Sequence, residues 1–166
     1  IICVPTPLRK IDEPDISFVV NVSQTISKNL NSNQLIILES TTYPGTTREV
    51  ILPILEEKGY KMGEDFYLAF SPERIDPGNP KYDFTNIPKV IGGFTKKGTE
   101  LGRLLYSHVV KKTVGVSTPE AAEVTKLLEN TFRIVNIGLI NEFAYLCHKL
   151  DIDVWEVIEA AKTKPF

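Results

Sequence analysis

The chain has 166 residues, of which 42% are hydrophobic and 24% charged, with a formal net charge of −2. This composition supports a packed core and excludes an intrinsically disordered chain, and the lack of a basic excess argues against nucleic-acid and anionic-membrane partners. Two cysteines are too few for a disulfide framework and fit a reducing, cytoplasmic compartment, and no apolar run reaches the ~18 residues of a membrane span.

In the first half of the chain, short apolar runs predict strands at residues 1–4, 35–38 and 66–70, and a helical spacing of apolar residues predicts a helix within 14–30. Thr46 and Glu49, three residues apart, predict a capping box at the start of the next helix. Pro53 should kink that helix, because proline removes a backbone donor.

In the second half, a proline-rich loop at 71–88 precedes a strand at 89–92, a helix at 95–109 and a strand at 113–116. Ser117-Thr118-Pro119-Glu120 predicts the start of a long helix that continues to about residue 150. The later part of that helix is apolar on more than one face, which indicates either a spine joining two domains or a subunit interface. A last helix is predicted at 153–162.

Strands alternate with helices over the first ~116 residues, which predicts an α/β fold with a mainly parallel sheet. Ligands bind such sheets beyond the carboxyl ends of the strands. Three loops leave those ends, at residues 5–7, 40–45 and 71–78. Glu73, which directly follows a strand, is placed for work as a general base, or it is a solvated loop acid.

The long helix carries a second set of polar residues on one face: Glu123, Lys126, Asn130 and Arg133. A lysine and an asparagine four residues apart could stabilise an oxyanion beside a strand-end carboxylate. The alternative is a solvated helix face.

The remaining candidates for chemistry have structural interpretations. Cys3 and Cys147 are predicted to be small buried hydrophobes, and His108 and His148 are predicted to be structural. We expect no metal site, since no ligand spacing is present. No G-x-G-x-x-G motif is present either.

Five segments, in this order along the chain, resemble the UDP-glucose/UDP-N-acetylhexosamine 6-dehydrogenases of the UDP-glucose/GDP-mannose dehydrogenase superfamily. They are CVPTP at 3–7, ESTTYPGTT at 39–47, FSPERIDPGN at 70–79, PKVIGG at 88–93 and AEVTKLLENT at 122–131. The second and third segments look like the branch that acts on UDP-N-acetylhexosamines, that is, UDP-N-acetylglucosamine or UDP-N-acetylmannosamine.

The resemblance implies an NAD-dependent, four-electron oxidation of the sugar C6 alcohol to the uronic acid, for surface polysaccharide precursors. It also implies a domain arrangement. Residues 1–117 would be the C-terminal part of a Rossmann-like NAD-binding domain, and residues 118–166 the start of a central helical domain for dimerisation and substrate binding. The partners implied are a UDP-sugar and a second copy of the chain, bound through the long helix.

For the cofactor, the resemblance implies that Val4, Pro5, Thr6 and Thr41 line the NAD site. Thr41 would also orient a catalytic water near the nicotinamide.

For the substrate, the resemblance implies contacts from Glu73, Arg74, Lys126 and Asn130. Glu73 would act through water as acid and base, Lys126 would stabilise the developing oxyanion, and Asn130 would assist it.

By the same resemblance, the family's glycine-rich phosphate loop would lie before residue 1 and its nucleophilic cysteine after Phe166. We therefore expect these 166 residues alone to be inactive. Asp76-Pro77 stands where glucose-specific members carry a second acid, so the role of a second carboxylate is open. The alternatives are a non-catalytic helical dimerisation module and a relative of the β-hydroxyacid dehydrogenases. The Ser71-Pro72-Glu73-Arg74 loop argues against the β-hydroxyacid dehydrogenases, because that family lacks a matching carboxylate loop.

Overall fold

The computed structural model describes residues 1–9, 13–76, 78 and 83–165. The chain divides into two compact units, Ile1–Lys126 and Leu127–Phe166. Among the described residues, none of the helices combines the length and the apolar character that crossing a bilayer requires.

The first unit alternates helices and strands, close to the predicted order. Its elements are α1 (Ser17–Lys28), β1 (Gln34–Leu38), a π-helical turn (Thr47–Ile51), α2 (Leu52–Glu56), β2 (Phe66–Phe70), β3 (Lys89–Gly93), α3 (Lys96–Ser107), β4 (Thr113–Val116) and the first turns of α4 (Pro119–Lys149). The α/β prediction is therefore confirmed.

The four strands form one sheet in the order β1-β2-β3-β4. The β1–β2 and β3–β4 pairs are parallel, and the β2–β3 pair is antiparallel, so the sheet is mainly parallel as predicted. The strand predicted at 1–4 is present as a single parallel bridge between Ile2 and Leu38.

The antiparallel pair has a consequence for the site. Because Phe70 lies opposite Gly92, β3 begins at the edge of the sheet where β1 and β2 end. A residue at the start of β3 therefore lies beside loops that follow the carboxyl ends of the other two strands.

Side chains alternate between the two faces of the sheet along each strand. Both faces therefore carry apolar side chains, and helices cover both of them. Ile36, Leu38 and Leu68 belong to a core cluster that includes Val19 of α1 and Leu55 of α2. The intervening side chains form a second cluster with α3: Ile37, Ala69, Ile91, Tyr106 and Val110.

Two adjacent glycines let α3 and α4 approach the end of β3. A Cβ atom on Gly92 would lie 2.1 Å from the backbone oxygen of Thr118, and one on Gly93 would lie 2.6 Å from the backbone nitrogen of Thr99. Gly92 therefore allows close packing against the start of α4, which Thr118 caps by accepting the Ala121 N–H at 3.1 Å, and Gly93 allows close packing against α3.

The capping box predicted at Thr46 and Glu49 is wrong. No side-chain cap is made at Thr46, whose hydroxyl donates to the Tyr43 carbonyl at 2.7 Å. A π-helical turn ends at Ile51, where the Leu52 N–H donates to the Thr47 carbonyl five residues back. Pro53 lies in the first turn of α2, and the kink expected there stays a prediction.

The second unit consists of the later turns of α4 and of α5 (Val154–Ala161), which begins where Asp153 accepts the Trp155 N–H. Cys147 is buried there, as predicted. Many large apolar side chains of this unit are exposed, among them Phe132 and Trp155, each 70% exposed.

Candidate active site

A pocket of about 360 Å³ opens where β1 and β2 end. It brings together five of the residues named from the sequence: Val4, Pro5, Thr6, Thr41 and Glu73. The remaining lining residues are Cys3, Glu39 and Ser40.

Hydroxyl groups join the first two loops into one wall. The buried Ser40 hydroxyl accepts from the Val4 N–H at 2.8 Å and donates to the Val4 carbonyl at 2.7 Å. The Thr6 hydroxyl donates to the Thr41 carbonyl at 2.7 Å. Two backbone groups of Val4 and one of Thr41 are held in this way, so these hydrogen bonds fasten the two loops to each other.

The Glu73 carboxylate is held by its own loop and by a lysine. One oxygen accepts from the Arg74 N–H and the Ile75 N–H, each at 2.6 Å, and the other lies 3.5 Å from Lys89 Nζ. Burial raises the pKa of Glu73, but the Ile75 N–H, the Lys89 charge and the Arg74 N–H together outweigh it, so the pKa lies below its ordinary value. Glu73 is therefore ionised near neutrality and can accept a proton.

Lys126 reaches the same residue from α4. Its ammonium group donates to the backbone carbonyl of Glu73, and its side chain is half-buried. The ammonium of Lys126 thus lies at Glu73, which shares its pocket with Thr41. A lysine has three N–H donors, so the bond to Glu73 leaves donors for a ligand.

Arg74 and Asn130 are placed differently. The Arg74 guanidinium donates to the Pro88 carbonyl at 2.6 Å and so ties the loop after β2 to the segment before β3. Asn130 is exposed and belongs to the second unit, and its part in a site stays a prediction.

Glu123 is a buried clamp and not part of a solvated helix face. Glu123 is only 1% exposed. Its carboxylate accepts from the Gly45 N–H at 2.6 Å, the Thr47 N–H at 3.0 Å and the Thr47 hydroxyl at 2.6 Å. By accepting from these donors, the Glu123 carboxylate caps the turn that the capping box was expected to cap. Gly45 has φ +95°, a conformation that favours glycine. Glu123 therefore fastens the Thr41 loop to α4 one turn before Lys126.

The ion network behind the pocket was missed by sequence reasoning. Lys89 Nζ lies 3.3 Å from Glu39 and 3.5 Å from Glu73. Glu39 also accepts from the phenol of Tyr106, whose pKa is raised by burial and by Glu39. The sequence signals for this network were Glu39, which directly follows the apolar strand β1, and Lys89, which begins β3.

The prediction that Cys3 is buried is wrong. Its side chain is exposed and its thiol donates to Glu39 at 3.7 Å. Burial of the thiol and the charge of Glu39 both raise the pKa of Cys3, which disfavours the nucleophilic thiolate.

Other titratable groups of interest lie outside this pocket. His108 is exposed, and its Nδ1 lies 2.8 Å from the Leu104 carbonyl at the end of α3. Within the described ranges, no three His, Cys, Asp or Glu side chains gather in a way that could hold a metal ion.

Known proteins of one family match nearly the whole chain. Residues 1–110 match the NAD binding domain of the UDP-glucose/GDP-mannose dehydrogenase family, and residues 120–166 match its central domain. Protein CapL of Staphylococcus aureus is 44% identical over 99% of this chain and 39% of its own length. UDP-N-acetyl-D-glucosamine 6-dehydrogenase of Salmonella typhi is 39% identical, with the same coverage of both chains.

A solved structure is similar as well. The UDP-N-acetyl-D-mannosamine dehydrogenase of Pyrococcus horikoshii superposes with a TM-score of 0.90 at 41% identity, covering 98% of this chain and 39% of that one. The chain thus spans about two fifths of the length of the relatives it matches.

Proposed function

The chain belongs to the UDP-glucose/GDP-mannose dehydrogenase family, and on that premise we propose that the whole protein oxidises the C6 hydroxyl of a UDP-sugar to the uronic acid with NAD. The names of relatives that act on UDP-N-acetylmannosamine and UDP-N-acetylglucosamine support a UDP-N-acetylhexosamine as the substrate. A role in supplying surface polysaccharide precursors, in the cytoplasm, is part of the proposal.

The pocket suits the nicotinamide end of NAD. The wall of Val4, Pro5 and Thr6 carries no charged side chain and offers a flat ring an uncharged surface. Glu39 and Glu73 also line the pocket, and their carboxylates favour the positive charge of an oxidised nicotinamide and disfavour a phosphate. Val4, Pro5, Thr6 and Thr41 would hold this part of the cofactor, which when bound supplies the hydride acceptor.

The chain's own side chains supply the proton chemistry. The ionised carboxylate of Glu73 accepts the proton of the sugar hydroxyl through a water that Thr41 orients. The ammonium of Lys126 stabilises the negative charge that develops on the sugar oxygen. The resemblance to the family supports an assisting role for Asn130 and a substrate-binding role for Arg74, and both are part of the proposal.

One observation carries this proposal. Lys126 donates to the carbonyl of Glu73, and Glu73 lines the same pocket as Thr41 and residues 4–6. The meeting of a cation, a carboxylate and an uncharged wall at one edge of the sheet supports the proposed roles in oxyanion stabilisation, proton transfer and cofactor binding.

The proposed assembly is a homodimer formed through the long helix. The exposed apolar side chains of residues 127–149 support it, among them Phe132, Ile134 and Val135 at 61% exposure or more. We keep the division into a cofactor-binding part, 1–117, and the start of a central helical domain, 118–166.

The function is tested with the full-length protein and NAD, by measuring NADH formation with UDP-N-acetylglucosamine, UDP-N-acetylmannosamine and UDP-glucose. We expect NADH with at least one of the N-acetylated sugars, two per sugar oxidised, and a lower kcat/KM with UDP-glucose. NADH formation from UDP-glucose alone would overturn the substrate class, and none from any of the three would overturn the function. NADH formed by residues 1–166 alone would contradict their expected inactivity.

A further inference from the structure

A buried lysine lies between the two carboxylates that line the pocket. Lys89, at the start of β3, is 4% exposed, although lysine is rarely buried unless it is paired. Its Nζ lies 3.3 Å from an oxygen of Glu39 and 3.5 Å from an oxygen of Glu73. One positive charge thus serves two negative ones.

Aromatic rings and a backbone hydrogen bond hold the Lys89 side chain in place between Glu39 and Glu73. Its ammonium lies 5.1 Å from the ring centre of Tyr106 and 5.7 Å from that of Phe84, and aromatic faces attract cations. The backbone N–H of Lys89 donates to the Lys112 carbonyl at 2.9 Å, which fixes the start of the strand.

The two carboxylates differ in what else they bind. Glu39, whose side chain is 12% exposed, also accepts from the phenol of Tyr106 and from the thiol of Cys3. Glu73 is 40% exposed, and both backbone N–H groups that it accepts from bind Oε1, whereas Lys89 lies nearest Oε2. Lys89 therefore acts on the carboxylate oxygen opposite the one that the Arg74 and Ile75 N–H groups hold.

We propose that Lys89 is a positioning residue for the proton transfer: it keeps Glu73 ionised and its second oxygen in place, while Glu39 weakens this effect by sharing the lysine. This inference rests on the proposed function, because it assigns to Glu73 the role of proton acceptor.

The pKa of Glu73 agrees with this arrangement. Burial raises it, but the Ile75 N–H and the charge of Lys89 lower it more, so that the net shift is downward. Several other charged or titratable groups face this part of the pocket from the packed elements: Cys3, Glu39, Arg74, Tyr106 and Lys126.

The test is the pH dependence of kcat/KM for the UDP-N-acetylhexosamine in the full-length protein. A base must be ionised, so the rate falls on the acidic side as pH drops through the pKa of Glu73. Lys89→Met removes the positive charge, and we expect the acidic limb to move to higher pH by about one unit. Lys89→Arg restores the charge and should move the limb back.

Glu39→Gln gives the opposite expectation. It removes a negative charge near Glu73 and leaves Lys89 to Glu73 alone, so the acidic limb should move to lower pH. A general loosening of the pocket would not produce shifts in opposite directions. Lys112→Met, at an exposed lysine one strand away, is the matched control and should leave the profile unchanged.

The outcomes are distinct. An active unsubstituted protein whose profile is unchanged by Lys89→Met, or moved the same way by Lys89→Met and Glu39→Gln, would overturn the role of Lys89 and leave the function standing. An unsubstituted protein that forms no NADH would overturn both. Should Lys89→Met fail to fold, Glu39→Gln decides: a downward shift supports the inference, and no shift or an upward one overturns it.

Discussion

The first turns of α4 and its later turns belong to one helix but use their side chains in opposite ways. In the first turns, Glu123 is buried against backbone donors and Lys126 binds a backbone carbonyl. In the later turns, apolar side chains such as Phe132 and Ile134 are exposed. Here the polar side chains are the ones tied into the protein, and the apolar ones face outward.

The difference teaches how a helix contributes to a site. Buried polar groups need defined partners, so the early turns hold two loops in register. Exposed apolar groups gain by being covered, so the later turns suit a second protein surface. Each prediction below changes one side of this comparison.

The largest effect is expected at Lys126. Lys126→Met keeps the length of the side chain but removes its charge, so kcat of the full-length protein should fall by ~10²- to 10³-fold, as for loss of one oxyanion donor. Lys149→Met, the same change at an exposed lysine in the last turn of α4, should leave kcat unaltered. An unchanged kcat for Lys126→Met, with dimers lost, would instead favour the dimerisation module.

The next largest effect is expected at Glu123. Glu123→Gln replaces an accepting oxygen with an NH₂ group, which leaves a buried backbone N–H without an acceptor and should destabilise the protein by about 3 kcal/mol. The measurement is the thermal unfolding midpoint. Glu142→Gln, at an exposed site of the later turns, should not change it, and equal effects of the two variants would contradict the comparison.

A smaller effect is expected on assembly. Phe132→Glu places a charge on the exposed apolar face and should weaken the proposed dimer by about 2 kcal/mol, or roughly 30-fold in Kd, measured by analytical ultracentrifugation of the full-length protein. Leu104→Glu, at a 60% exposed leucine of α3, is the control and should leave Kd unchanged. A dimer unaffected by Phe132→Glu would place the contact elsewhere.

The smallest effect is expected at Glu120. Its carboxylate lies 2.5 Å from Nε of Arg48, but both side chains are partly exposed, at 30% and 50%. Exposed ion pairs contribute less than about 1 kcal/mol, so Glu120→Gln should change the unfolding midpoint much less than Glu123→Gln. A larger loss at Glu120 would reverse the assignment of the clamp.

Local patterns were sufficient for the elements and for much of the pocket. The apolar runs at 35–38, 66–70 and 113–116 became β1, β2 and β4, and the Ser-Thr-Pro signal before Glu120 became the start of α4. The loops after β1 and β2 met because both strands are parallel and end at one edge.

What the patterns could not give depends on contacts between distant residues. Nothing local indicates that β3 runs antiparallel to β2, and this pairing places Lys89 between Glu39 and Glu73. The cap near Thr47 comes from Glu123, 76 residues away, and so the nearby Glu49 was the wrong choice. Cys3 was expected to be buried because it was placed at the end of a strand, but that strand is a single bridge at Ile2 and Cys3 is exposed.

The carbonyl that receives Lys126 has a dipole but no net charge, so the lysine is anchored without being neutralised. Lys89, flanked by two anions, has its charge balanced within the fold. The two ammonium groups therefore differ in role. Lys89 holds two carboxylates together inside the fold, whereas Lys126 keeps N–H donors for a bound anion.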